Sequence, residues 1–149
     1  MDNLKLKNQL CFPIYALSRQ VTLLYKPFLE ELNLTYTQYL VLLVLWEKDS
    51  ICVRDLGEKL WLDSGTLTPL LKRMQEKKLI TRNRSTEDER RVDIALTQVG
   101  IDLEKSASRI PEKINQLFEL DNEQANRLKV ELKDLLEITR KKCTNKDHL

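Results

Sequence analysis

At 149 residues, 42% of them hydrophobic and 32% charged, the chain fits one domain with appended helices, and no apolar run is long enough to span a membrane. The N-terminus lacks the apolar stretch of a secretory signal, which places the chain in the cytoplasm by expectation. Three widely spaced cysteines and a single histidine, His148 in a polar tail, exclude a fully paired disulfide framework and a zinc pattern, so no metal and no cofactor is expected.

The net charge is only +2, but it is unevenly spread. Residues 64–91 carry eight basic against four acidic groups, whereas the segments before and after are each slightly acidic. A basic run alone is usually a solvated helix face. Its structural context decides whether it means nucleic acid.

In chain order, residues 4–32 read as a long amphipathic helix, with Leu10, Ile14, Leu17, Val21, Leu24 and Phe28 forming an apolar stripe. Pro13 should sit near a helix start, and Pro27 should kink or break the helix at Lys26. Thr35 and Gln38 match a capping box that opens a nearly all-apolar, hence buried, helix to about Lys48. A turn at Asp49-Ser50, a strand-like run at 51–53 and a short helix at 54–62 follow. Cys52 falls where that helix takes its N-cap, and is read as packing beside an apolar strand. Asp63–Thr66 reads as a tight turn containing Gly65.

A basic amphipathic helix then runs to about Lys78. It starts either with Thr66 as N-cap, which makes Pro69 harmless, or at Ser64, which costs one intrahelical bond. Residues 80–84 and 92–96 alternate as half-buried strands around a polar loop, 85–91. Thr97 caps a helix to about Leu120 that breaks near Pro111. Asp121 caps a last helix striped by Leu128, Leu132, Leu135 and Ile138.

The succession of helix, turn, basic helix, strand, charged loop and strand defines a winged helix-turn-helix. The expected fold is mainly α with a small β wing. Residues 1–34 and 101–149 form dimerisation helices around a DNA-binding domain at 35–100. A recognition helix places its N-terminal residues against base edges in the major groove. Those residues are Ser64, Thr66 and Thr68, whose hydroxyls reach bases or phosphates. Lys72 and Arg73, further along, suit phosphates. Arg90 and Arg91 sit where a wing tip enters a narrow minor groove, with Asp88 placed to hold Arg90. The surplus apolar stripes at both ends imply a homodimer, which sets two recognition helices on a pseudo-palindromic double-stranded operator.

Asp88-x-Arg90 followed by Leu96-Thr97-x-x-Gly100 resembles the wing and next helix of the MarR family. Gln9-Leu-Cys-Phe12 with Tyr15, Tyr25-Lys-Pro27, Leu34-Thr-Tyr36-x-Gln38-Tyr39 and the run from Leu62 through Asp-Ser-Gly-Thr-Leu-Thr-Pro to Met74 resemble, more narrowly, the organic hydroperoxide resistance regulators. The likeness is dense over residues 4–100. It implies a repressor that leaves DNA when Cys11 is oxidised by an organic hydroperoxide. Tyr15, Tyr25 and Tyr36 then match the tyrosines near that thiol, with Tyr25 and Tyr36 coming from the partner subunit. Ser64, Thr66, Arg73, Asp88 and Arg90 match DNA-contact positions.

The chemistry is consistent with this. A thiolate is the nucleophile toward peroxide, and a first helical turn and phenol donors favour it. The sulfenic acid formed condenses with a small thiol or with Cys143 as resolving residue. Alternatives are a MarR-type regulator answering a small aromatic ligand, and a broader thiol-based regulator of virulence or biofilm genes. A thiol peroxidase is disfavoured because no base is paired with Cys11.

Overall fold

The computed structural model describes residues 2–84 and 91–144. The polar loop at 85–90, with Asp88 and Arg90, and the tail with His148 lie outside the described residues. The chain divides into two compact units, Met1–Ile110 and Pro111–Leu149.

The first unit opens with two 3-10 turns, Asp2–Leu4 and Leu6–Asn8, rather than with the expected helix from residue 4. Lys5 between them is extended, which interrupts any helical ladder. Helix α1 (Cys11–Glu30) therefore starts at the cysteine. It also continues through Pro27, so the helix is not broken there. The proline cannot donate to the Leu23 carbonyl, but Leu23 is exposed and water can take that place. What ends the helix is Asn33, in the left-handed region (φ 53°), with the Leu34 N–H donating back to the Leu29 carbonyl at 2.9 Å.

Helix α2 (Tyr36–Glu47) begins with the expected capping box. The Gln38 N–H donates to Thr35 Oγ1 at 3.3 Å, and the Thr35 N–H donates to Gln38 Oε1 at 3.1 Å. Strand β1 (Ile51–Cys52) leads into α3 (Val53–Leu60), and α4 (Ser64–Glu76) follows after the short turn at 61–63. Strands β2 (Ile80–Arg84) and β3 (Val92–Leu96) complete an antiparallel sheet ordered β1-β3-β2, with Ile51 and Arg82 both opposite Ile94. Helix α5 (Gln98–Ala107) is capped by Thr97, whose Oγ1 accepts from the Gly100 N–H.

The core of this unit explains the arrangement. Val41, Leu42 and Leu45 of α2, Leu56 of α3, Leu67, Leu71 and Met74 of α4, and Ile80 and Ile94 of the wing are all essentially inaccessible. The inward stripes of three helices thus share one centre with the sheet, which fixes α4 against the wing. Gly100 lets α5 approach closely, because a Cβ there would stand 2.3 Å from the Leu79 carbonyl oxygen. The indole N–H of Trp46 donates to the Gly100 carbonyl at 3.0 Å and pins the same point from α2.

In the remainder, α6 (Ile110–Phe118) is separated from α5 at the expected break before Pro111. Helix α7 (Asn122–Thr144) is opened by a second reciprocal cap, in which the Gln124 N–H donates to Asp121 Oδ1 and the Asp121 N–H to Gln124 Oε1. No helix among the described residues is long and apolar enough to cross a membrane.

Candidate nucleic-acid interface and thiol site

Helix α4 starts at Ser64, with Asp63 as its N-cap, so Gly65 lies inside the first helical turn and not in a turn before it. The turn between the two helices is residues 61–63, closed by Trp61 in the left-handed region (φ 58°) and a Leu62 N–H bond to the Gly57 carbonyl. Pro69 is therefore the sixth helical residue and leaves the Gly65 carbonyl without its usual donor. Gly65 is exposed, so that oxygen is open to solvent.

Leu67, Leu70, Leu71 and Met74 face inward. Ser64, Thr66, Thr68, Lys72 and Arg73 are all exposed on the remaining surface of α4, as a recognition helix requires.

Asp63, assigned to a tight turn from the sequence, is the N-cap of α4. Its Oδ1 accepts the Thr66 N–H and its Oδ2 accepts the Thr66 hydroxyl, each at 2.9 Å. These bonds, the backbone one first, hold the Asp63 carboxyl below its ordinary pKa. With its one proton committed to Asp63, Thr66 can only accept, which suits an amino group on a base edge and not a phosphate oxygen. The Asp-x-x-Thr spacing was the available signal, since it is that of an N-cap and its third helical residue.

At the wing, Arg91 is exposed and its Nε donates to Asp93 Oδ1 at 2.8 Å. That bond raises the guanidinium pKa further above its ordinary value. Cys52 takes the N-cap position of α3 as expected, and its Sγ accepts the Asp55 N–H at 3.4 Å.

Cys11 is the first residue of α1 and is exposed. Tyr15, four residues on, shares its helix face, and Arg19 Nη1 donates to the Tyr15 hydroxyl at 3.0 Å. Tyr25 and Tyr36 are brought together from α1 and α2, with ring centroids 4.8 Å apart, and Tyr39 lies 5.8 Å from Tyr25. Cys11 is not brought to them within one chain. At a rise of about 1.5 Å per residue, the fourteen steps from Cys11 to Tyr25 along one helix span about 21 Å. Cys143 is exposed near the end of α7.

Burial first, and then its neighbours Tyr36 and Tyr39, pushes the Tyr25 hydroxyl up from 10.0 to about 12. Burial also raises Tyr36 and Tyr39. The phenols are therefore protonated donors across the neutral range. Between pH 10.0 and about 12 the unfolded chain has lost the Tyr25 proton while the folded chain keeps it. Stability present below pH 10 should accordingly fall through that window. An ultraviolet titration should show a late tyrosinate component that Tyr25→Phe removes; an unchanged curve would contradict the assignment.

The exposed basic helix, its capped N-terminus and the adjoining three-stranded wing together define a winged helix-turn-helix. Residues 23–107 match the family described as transcriptional regulator SarA/Rot. The organic hydroperoxide resistance transcriptional regulator of Bacillus subtilis (strain 168) is 52% identical over 141 residues, covering 95% of this chain and 96% of that one. The structure of reduced AbfR bound to DNA superposes with a TM-score of 0.76 at 33% identity, covering 93% of this chain and 96% of that chain. The overoxidised AbfR bound to DNA gives 0.75 at 35% identity, covering 93% and 97%. The chain belongs to the MarR/SarA family of winged helix-turn-helix transcriptional regulators. It is a DNA-binding regulator and not an enzyme.

Proposed function

We propose that the chain is a cytoplasmic homodimeric repressor that releases a pseudo-palindromic operator when Cys11 is oxidised by an organic hydroperoxide. The observation that carries this reading is the separation of its parts. A solvent-exposed thiol opens α1, and a paired set of protonated phenols lies about 21 Å further along the same fold. A second copy of the chain, bringing its Tyr25 and Tyr36 to Cys11, completes such a site in this reading.

The surface supports that second copy. Leu10, Phe12, Ile14 and Leu17 around the start of α1, and Leu128, Leu132, Leu135 and Ile138 on α7, are all exposed in the single chain. Apolar stripes of this extent are covered by association. Residues 1–34 and 101–149 then serve dimerisation, and residues 35–100 serve DNA. Ser64, Thr66 and Thr68 address base edges, Lys72 and Arg73 address phosphates, and the wing arginines Arg90 and Arg91, with Asp88, address the minor groove.

In the reaction, the Cys11 thiolate attacks the outer peroxide oxygen. An S–O bond forms, the O–O bond breaks, and the departing alkoxide takes a proton to leave as an alcohol. In this reading the hydroxyls of Tyr15, Tyr25 and Tyr36 donate to the thiolate and then to the oxygens. The sulfenic acid condenses with a second thiol, forming S–S and releasing water. A small thiol supplies that partner, or Cys143 does so. A relative in its overoxidised form is found on DNA. We therefore assign release to the disulfide stage, whose bulk and geometry an oxygen adduct lacks.

The test uses a duplex selected by the wild-type protein from a random library. Wild type should dissociate on addition of an organic hydroperoxide and a small thiol, while Cys11→Ser should stay bound with its affinity intact. Equal release of both proteins would sink the proposal.

A further inference from the structure

The basic count of the recognition segment includes Lys77, which is exposed but directs its ammonium to acceptors within the chain. Lys77 is the C-cap of α4. Its Nζ donates to the Asn33 backbone carbonyl, to Asn33 Oδ1 at 3.3 Å and to Gln38 Oε1 at 3.4 Å. These contacts cross more than thirty-five residues of sequence and tie the far end of the recognition helix to the corner between α1 and α2.

The corner is built to hold that cation. Asn33 sits in the left-handed region at the C-terminal end of α1, where the helix dipole is negative. Gln38 is almost fully buried, and its Oε1 already accepts the Thr35 N–H of the capping box. One amide oxygen thus receives both the cap of α2 and the ammonium of α4, and charge-assisted bonds of this kind are the stronger ones.

Tyr36 is the first residue of α2 and lies inside the span Asn33–Gln38 that Lys77 holds. Its ring is packed on Tyr25, 4.8 Å away. Any displacement of Tyr36 relative to α1 therefore moves the acceptors of Lys77. Lys72 and Arg73, one turn or so before Lys77, remain on the exposed surface of α4.

We infer that Lys77 is a positioning residue that couples the tyrosine corner between α1 and α2 to the recognition helix, through its hydrogen bonds to Asn33 and Gln38. The inference rests on the thiol-switch reading for what moves the corner, but the coupling itself is a property of the reduced chain. By reciprocity, DNA bound at α4 must then order the corner.

The experiment is hydrogen exchange on the full-length dimer, free and bound to the library-selected duplex. In wild type, DNA should slow exchange of the amides at 33–38. Lys77→Met should abolish that DNA-dependent protection while the core amides of α2 exchange as before, and Lys77→Arg, which keeps charge and donors, should restore it. In the same proteins, the ratio of operator Kd after and before hydroperoxide should fall at least about fivefold in Lys77→Met, the lower end of ordinary coupling factors. Protection at 33–38 that survives in Lys77→Met, or that is absent in wild type, overturns the coupling. If Lys77→Met is too unstable to bind DNA, Lys77→Gln is compared in the same way, and loss of folding in both overturns a coupling role in favour of a purely structural one. Wild type that stays on DNA under hydroperoxide overturns the thiol switch and leaves the exchange result standing.

Discussion

Gly100→Ala is expected to destabilise the chain by about 3 kcal/mol, at the upper end of what overpacking costs, because the new methyl meets backbone and not a yielding side chain. The Cβ would stand 2.3 Å from the Leu79 carbonyl oxygen, 3.3 Å from its carbon and 3.0 Å from Leu96 Cδ2. Three bonds converge on the same place and resist any shift. Trp46 Nε1 donates to the Gly100 carbonyl, the Gly100 N–H donates to Thr97 Oγ1, and the Thr97 N–H donates to the Leu79 carbonyl. For a chain of this size, about 3 kcal/mol corresponds to a fall in Tm of roughly 6–12 °C. Circular dichroism melts at matched protein concentration read it directly. Gly57→Ala is the useful comparison. Its Cβ would meet the Leu62 carbonyl oxygen at 2.9 Å and Leu67 Cδ2 at 3.4 Å, a milder overlap that should cost less. A Gly100→Ala protein that melts within 2 °C of wild type would contradict this account of the motif, since even ~1 kcal/mol moves Tm by about that much.

The order of elements was legible because period and caps agreed. Thr35 with Gln38, Thr97 and Asp121 each appear as caps in sequence and act as caps in the structure. The helix ends were not legible, and one physical reason covers most of them. Helices α1, α3 and α4 stop at left-handed Asn33, Trp61 and Lys78, and no glycine in the chain has positive φ. A reading that expects glycine at a helix stop places Gly65 in a turn, whereas Gly65 sits in the first turn of α4. Pro27 does not end α1, because the bond it removes lies on an exposed side of the helix open to water. In the candidate site, residue types at helical spacing pointed to Ser64, Thr66, Lys72 and Arg73 as exposed on α4. The Asp63–Thr66 pair and the contact of Lys77 with Asn33 and Gln38 depend on side-chain direction and on tertiary proximity, which periodicity does not encode. Charge counting includes Lys77 among the eight basic groups of residues 64–91 but cannot show that its ammonium bonds to the corner between α1 and α2.

A mixed dimer should decide whether the thiol and the phenols act across two subunits. One chain carries Cys11→Ser and keeps its tyrosines. The other carries Tyr25→Phe and Tyr36→Phe and keeps Cys11. Differently tagged chains are expressed together and the heterodimer is isolated. Within either chain the groups needed are never both present, so a site built in cis predicts only the slow reaction of a thiol without those phenols. Built in trans, the single Cys11 of the heterodimer faces the intact Tyr25 and Tyr36 of the other chain and reacts as wild type does. The expected contrast is large. A hydrogen bond to a charged group contributes about 1.5–3 kcal/mol, so losing even one such phenol should slow oxidation by about tenfold to a hundredfold. The rate is read by quenching with an alkylating agent and measuring the Cys11 peptide by mass spectrometry. Wild-type speed in the heterodimer, against a slow Tyr25→Phe, Tyr36→Phe homodimer, is the expected result. It follows from the geometry of one continuous α1, which sets Cys11 about 21 Å from Tyr25 in its own chain, beyond any hydrogen bond. A heterodimer thiol as slow as that homodimer's would place the working phenols in cis and require α1 to bend or unwind in the reduced protein.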